Sequence, residues 1–249
     1  MSRSTSETGH ARTVSNFEKM VDECVQLGSA YAPSRPELKI ESMQSALEQA
    51  KVQLQAFYTA QAAMKLAVAQ RETAFDGFGK KITRVQNTLK ASGSSDALDE
   101  KAHALVVQMR GRRKSVAPKA AGETSTSTTA VAEADVRSTS HQSYENRVVH
   151  LDQFLKLLEN VPDYAPSESE LTAQGLESWK GELQGVNTQV MHAHTVLGSA
   201  RTERDQALYA TRSGLVDLAM DCKSYLRAAL GSDHPVVRSV GRLKFIRIG

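Results

Sequence analysis

The sequence is short of the residues on which many secreted, membrane and catalytic proteins depend. Aromatics make up 5% of 249 residues, and there are 6 prolines and 2 cysteines. So few aromatics leave little to stack on nucleobases. Six prolines and 15 glycines are too few for a loop-rich all-β protein of this size. Cys24 and Cys222 lie among apolar residues at helical spacing, with no C-x-x-C and no Cys/His cluster. That excludes a zinc ribbon and a disulfide scaffold, and the apolar surroundings make the pair read as buried free thiols, with a Cys24–Cys222 bridge the alternative that nothing in the sequence supports. No apolar run approaches the roughly 18–20 residues needed to span a bilayer. The Ser/Thr-rich opening residues lack the apolar core of a signal peptide. The expectation is a cytoplasmic chain with no transmembrane segment.

Catalytic signatures are missing as well. There is no G-x-x-x-x-G-K-[ST], no G-x-S-x-G and no H-E-x-x-H, and Gly77-Phe78-Gly79 follows a helical pattern rather than a strand. His192 and His194 are two apart, so a helix points them about 200° from each other and they cannot share a metal. The Glu-x-x-His pairs of di-iron bundles are absent. These absences predict no enzyme, no metal, no cofactor and no small-molecule substrate.

What is present is a pattern written twice. Tyr31-Ala32-Pro33-Ser34 recurs as Tyr164-Ala165-Pro166-Ser167, at an offset of 133. Glu37-Leu38, Ala60, Ala67, Arg71 and Ala74 match Glu170-Leu171, Ala193, Ala200, Arg204 and Ala207 at the same offset. The offset then becomes 137, pairing Gly77, Leu89 and Asp96 with Gly214, Leu226 and Asp233. Four extra residues are about one helical turn, which a helix end can absorb. Matches that keep their order imply an internal duplication. The expected organisation is a disordered tail over 1–14, a first unit over 15–115, a flexible Ser/Thr/Ala-rich linker over 116–142 and a second unit over 143–249.

No proline falls between Glu37 and Ala117 or between Ser167 and His234, so long helices are permitted there. Phe17, Met20, Val21, Cys24 and Leu27 form one apolar stripe, with Gly28 as its stop. Ser34-Arg35-Pro36-Glu37 and Ser167-Glu168-Ser169-Glu170 fit capping boxes opening a second helix. That helix carries Met43, Leu47, Ala50, Leu54 and Phe57 in one copy and Trp179, Leu183, Val190 and Leu197 in the other, a coiled-coil-like heptad stripe about five repeats long. Gly175, Gly181, Gly185 and Gly198 weaken the second copy, so close helix packing or a break near Gly198 is expected. A third helix follows from Gly77 or Gly214 to Gly93 or Gly231, then a short segment at Leu105–Met109 or Val236–Val240. The fold class is all-α: an internally duplicated helical bundle of two three-helix units, each with one long helix, related by a pseudo-twofold axis.

Two sets of polar residues are candidates for binding. Arg71 and Arg204 occupy an apolar register in both copies, where each either holds an anion or partner carboxylate or covers apolar surface with its stem. Arg110, Arg112, Arg113, Lys114 and Lys119, and then Arg238, Arg242, Lys244 and Arg247, form basic ends whose nine charges exceed the net +3. Such ends suit phosphate, and solvated termini are the plainer reading.

Tyr-Ala-Pro-Ser, Arg-x-x-Ala, Gly-Leu-Val-Asp (Gly214 to Asp217) and Gly-Arg-Leu-Lys-Phe (Gly241 to Phe245) together resemble an uncharacterised family of bacterial all-helical proteins. The likeness is carried mainly by Tyr164 to Phe245 and implies a helical fold with nothing catalytic. The function expected is therefore a non-enzymatic structural or interaction protein that offers its long helix faces either to a protein partner or to a second copy of itself. The alternative is a nucleic-acid- or ribosome-associated protein using the basic ends.

Overall fold

The computed structural model describes residues 7–110 and 143–246. Among them the chain is all-helical, without strands: α1 (Glu7–Gln26), α2 (Ile40–Ala74), α3 (Phe78–Ala91), α4 (Asp96–Arg110), α5 (Tyr144–Leu158), α6 (Ala173–Tyr209), α7 (Leu215–Leu230) and α8 (Pro235–Arg242). The linker expected over 116–142 lies outside the described residues. No described helix is long and apolar enough to cross a membrane.

The chain divides into two compact units, and neither is a sequence half. One comprises residues 1–66 and 191–249, the other 67–190. The boundaries expected at 15–115 and 143–249 are therefore not the boundaries of the compact units. Both long helices run through the division. The first unit buries Phe17, Met20 and Cys24 of α1 with Met43 and Leu47 of α2, Leu208 of α6, Ala219 and Cys222 of α7 and Val240 of α8. The second buries Ile82 and Leu89 of α3 with Val106 and Met109 of α4, Phe154 and Leu158 of α5, and Leu176 and Leu183 of α6. Each fully buried Phe, Leu or Met stabilises its unit by about 1.5–3 kcal/mol before entropy is charged.

Four sequence expectations need correction. First, α1 begins at Glu7, so residues 7–14 are helix and not tail. The buried residues of this stretch include His10 and Thr13, which an apolar-periodicity reading passes over. His10 Nδ1 lies 2.7 Å from the Tyr209 hydroxyl, and Thr13 donates to the Gly9 carbonyl.

Second, the capping boxes do not form. Pro36–Leu38 and Ser169–Leu171 are single 3-10 turns, and the long helices start after them. Thr172 opens α6, its hydroxyl accepting from Gly175 N at 3.1 Å and donating to Ser169 O at 2.8 Å. The repeated tyrosine organises the approach to each long helix: Tyr31 Oη donates to Leu38 O at 2.8 Å and Tyr164 Oη to Leu171 O at 2.7 Å.

Third, α6 is one continuous helix of 37 residues, about 55 Å long, with no break at Gly198. Close packing is not what Gly181, Gly185 and Gly198 serve, since a Cβ there would meet nothing within 4 Å, whereas at Gly175 a Cβ would collide with Ser169 O of the preceding turn.

Fourth, the short segment at Leu105–Met109 is the end of a 15-residue helix, α4. Its buried stripe is Ala102, Val106 and Met109, and its first turn is hidden in the sequence by Asp96, Asp99, Glu100 and Lys101.

The glycine stops read from the sequence are found where expected. Gly93 and Gly231 follow α3 and α7 at φ +76° and +81°, a region that costs a side-chain-bearing residue about 1 kcal/mol or more.

Candidate functional site

Arg71 and Arg204 both lie flat on an aromatic ring. The Arg204 guanidinium carbon sits 4.2 Å from the centroid of Phe57, and its Nε and Nη2 both reach Asp205 Oδ1, at 2.9 and 2.7 Å. The residue is 8% exposed. Arg71 sits 4.2 Å over Tyr144 of α5, with Nη1 3.9 Å from Glu145 Oε1, and its Nε is buried without a hydrogen-bond partner. The head groups are thus taken up within the chain by cation–π contact and carboxylate pairing. The sequence placed these arginines in the apolar register but could not show the rings they cover, since Tyr144 is 73 residues away.

The basic ends are only partly described. Arg112, Arg113, Lys114, Lys119 and Arg247 lie outside the described residues. Arg110 closes α4, is exposed, and reaches Thr83 Oγ1 at 3.4 Å. Arg238 pairs with Asp233 at 3.1 Å. Arg238 and Arg242 are four apart on α8, so they share a face, and Arg242 and Lys244 are exposed. Helix α8 is held by Pro235 at its first turn and by His234, whose Nδ1 accepts from Val236 N. Residues 243–246 follow it without helix. Asn16 donates to Lys244 O at 3.0 Å, Lys223 donates to Leu243 O, and Lys223 Nζ stands 5.0 Å from the Phe245 ring centre. Burial holds the Lys223 amine below its ordinary range, with Arg227 adding to the effect. Leu243 and Phe245 pack against the first unit's own core. The shallow cleft between α7 and α8, lined by Lys223, Leu226, Arg227, Val237, Val240 and Gly241, has no room to enclose even a water molecule, so it is no small-molecule pocket. Among the described residues no group of three or more His, Cys, Asp or Glu side chains could hold a metal.

The long helices carry a further feature that apolar periodicity misses. Opposite its buried stripe each has a second one, also stepping by three and four. On α2 it comprises Val52, Gln55, Thr59, Ala62, Leu66 and Ala69, and on α6 Gln184, Thr188, Met191, Thr195, Gly198 and Thr202. All twelve are exposed and none is charged. Val52, Leu66 and Met191 are 62, 60 and 63% exposed. From Leu183 to Ala200 α6 has no Asp, Glu, Lys or Arg at all. On α6 the threonine hydroxyls are satisfied within the helix: Thr188 donates to Gln184 O, Thr195 to Met191 O and Thr202 to Gly198 O, at 3.0–3.2 Å. Hydroxyls already bonded would bring little unpaired polarity into a contact that buried this stripe. The signal is present in the sequence as an absence, namely long helical segments missing the charges that a solvated face normally carries.

No family model matches the chain, and comparison with curated proteins and with solved structures found no similar chain.

Proposed function

We propose that the protein is a non-enzymatic helical interaction protein that associates with a second copy of itself through the outer faces of α2 and α6. The observation that carries this reading is the second stripe: exposed and uncharged on both helices, with its threonine hydroxyls on α6 bonded within that helix. A helix face of this kind costs little to desolvate, and opposing copies meet no like-charge repulsion. Where α2 and α6 pair through Phe57, Ala60, Leu197 and Ala200, the buried cluster draws on these two helices alone. A bundle only two helices deep gains most from further helices laid against it.

The proposal includes the origin of the halves. Duplication about a pseudo-twofold axis explains why two tyrosine-to-leucine-carbonyl bonds, each spanning seven residues, recur 133 residues apart. It also explains why both long helices follow a 3-10 turn.

Sedimentation velocity from low to high micromolar protein tests the association. The expected result is a dimer whose population changes little between 50 and 200 mM salt. Leu66→Glu with Met191→Glu should give a monomer of unchanged helical content. A wild-type monomer throughout that range overturns self-association. Binding of a mixed-sequence oligonucleotide that collapses over the same salt interval, and is lost in Arg242→Glu, would support the basic-end alternative instead.

A further inference from the structure

Cys24 and Cys222 face each other across the core of the first unit. They are 198 residues apart in sequence, and their Sγ atoms are 3.6 Å apart. Both residues are 0% exposed, and both are free thiols. The Tyr31 hydroxyl lies 3.5 Å from Cys222 Sγ, while its own proton goes to Leu38 O. The surroundings are otherwise apolar: Phe17, Met20, Met43 and Ala219 belong to the same buried cluster. With no third ligating side chain grouped with them among the described residues, the two sulfurs have each other and one phenol for chemistry.

Two thiols in van der Waals contact are already approximated for bond formation. A disulfide requires the sulfurs to close to about 2.05 Å, which is a small movement for two side chains on neighbouring helices. The alternative function for such a pair, filling space, does not require sulfur to face sulfur.

We propose that Cys24 and Cys222 form an oxidisable pair, which a water-sized two-electron oxidant of the peroxide class converts to a disulfide joining α1 to α7. In the first step one thiolate attacks a peroxide oxygen. The O–O bond breaks, a sulfenic acid forms and water leaves once the departing oxygen has taken up a proton. In the second step the other sulfur attacks the sulfenic sulfur, the S–S bond forms, and a second water leaves with the thiol proton. Two thiols and one hydrogen peroxide thus give one disulfide and two waters. Cys222 is the sulfur suited to the first step. Its hydrogen bond from Cys24 favours its thiolate, whereas Cys24 is pushed up by that same bond and by burial. Complete burial makes the reaction wait on local opening of the α1–α7 seam, so the rate should track opening rather than collision with oxidant.

The test is intact-mass and peptide analysis of the full chain before and after hydrogen peroxide, with exposed Met191 and Met220 as internal markers that oxidant was sufficient. The expected result is loss of both titratable thiols, a mass lower by two hydrogens after allowing for methionine oxygen, and one joined peptide pair containing Cys24 and Cys222. Dithiothreitol should restore both thiols. Oxidised chain should melt about 10 °C higher than reduced chain, because the bridge closes a loop of roughly 200 residues. Cys24→Ala and Cys222→Ala should each lose the joined pair and the thermal shift. Two intact thiols after the methionines are oxidised would overturn the proposal. So would oxygen adducts on cysteine without cross-linking, or a cross-link found only between chains.

Discussion

Tyr31 and Tyr164 make the same hydrogen bond in unequal surroundings. Tyr31 is 6% exposed, meets Tyr225 edge-on at 5.3 Å, and has Met43 and Cys222 sulfur within 3.8 Å. Tyr164 is half-buried beside the second unit's core, with Glu168 close enough to oppose ionisation. Burial pushes the Tyr31 phenol far above its ordinary range, while burial and then Glu168 push Tyr164 up to about 12. The comparison teaches that one local device can be fixed by backbone need while its environment diverges. The leucine carbonyl must be satisfied in both places, and everything beyond that bond is free to differ.

The junctions after the long helices sharpen the contrast and carry the largest expected effect. Gly77 and Gly214 match in sequence, yet Gly77 stands at φ +69° with open space around it. Gly214 has an ordinary φ of −70°, and a Cβ there would lie 2.5 Å from Ala210 N. Gly214→Ala should cost about 3 kcal/mol, because backbone must move. Gly77→Ala should cost about 1 kcal/mol, from conformation alone. Urea unfolding monitored by circular dichroism measures both, and equal costs would break the distinction.

Next come the tyrosines. Tyr31→Phe leaves the Leu38 carbonyl unsatisfied in a dry core and should cost about 2 kcal/mol. Tyr164→Phe, where water can substitute, should cost about 1 kcal/mol. Native-state hydrogen exchange reads each unit separately and should place the loss around the substituted tyrosine. A larger loss at Tyr164 would reverse the comparison.

Alkali separates the two again. A phenol raised by folding is held protonated in the native state. Its contribution is complete below the unfolded value near 10 and declines as pH rises from there through the folded value. For Tyr164 the decline should run from about pH 10 to about 12. Stability measured from pH 8 to 12 should fall over that window, and less in Tyr164→Phe than in wild type.

The smallest effect has the opposite sign. Gly181→Ala, Gly185→Ala and Gly198→Ala meet open space and should each stabilise α6 by about 0.5–1 kcal/mol. Destabilisation by any of them in the monomeric Leu66→Glu, Met191→Glu background would show a packing role that the helix surface does not display.

Much of the fold is legible because its signals are periodic. Met43, Leu47, Ala50, Leu54 and Phe57 form one stripe in the sequence, and all are buried. Polar burial is not legible. His10 and Thr13 fall in the stretch that reads as a tail and Asn16 just after it, and their surroundings include residues such as Tyr209 and Lys244, roughly 200 positions away. Nor does repetition in a sequence reveal which helix packs on which. Helix α1 meets α7, a helix from the other half, because tertiary packing follows complementary faces and not chain order. The candidate arginines illustrate the same limit: register puts Arg71 and Arg204 beside the apolar stripe, while their aromatic partners come from distant parts of the chain.

That crossing of halves has a consequence for how the chain can be taken apart. A cut anywhere between Arg110 and Ser143 yields two pieces, each holding half of both cores and neither holding a whole one. Expressed singly, each piece should be a soft, proteolysis-prone helical polymer. Mixed, they should find each other and rebuild both interiors together, which makes the protein a natural split reporter whose signal is the act of folding itself.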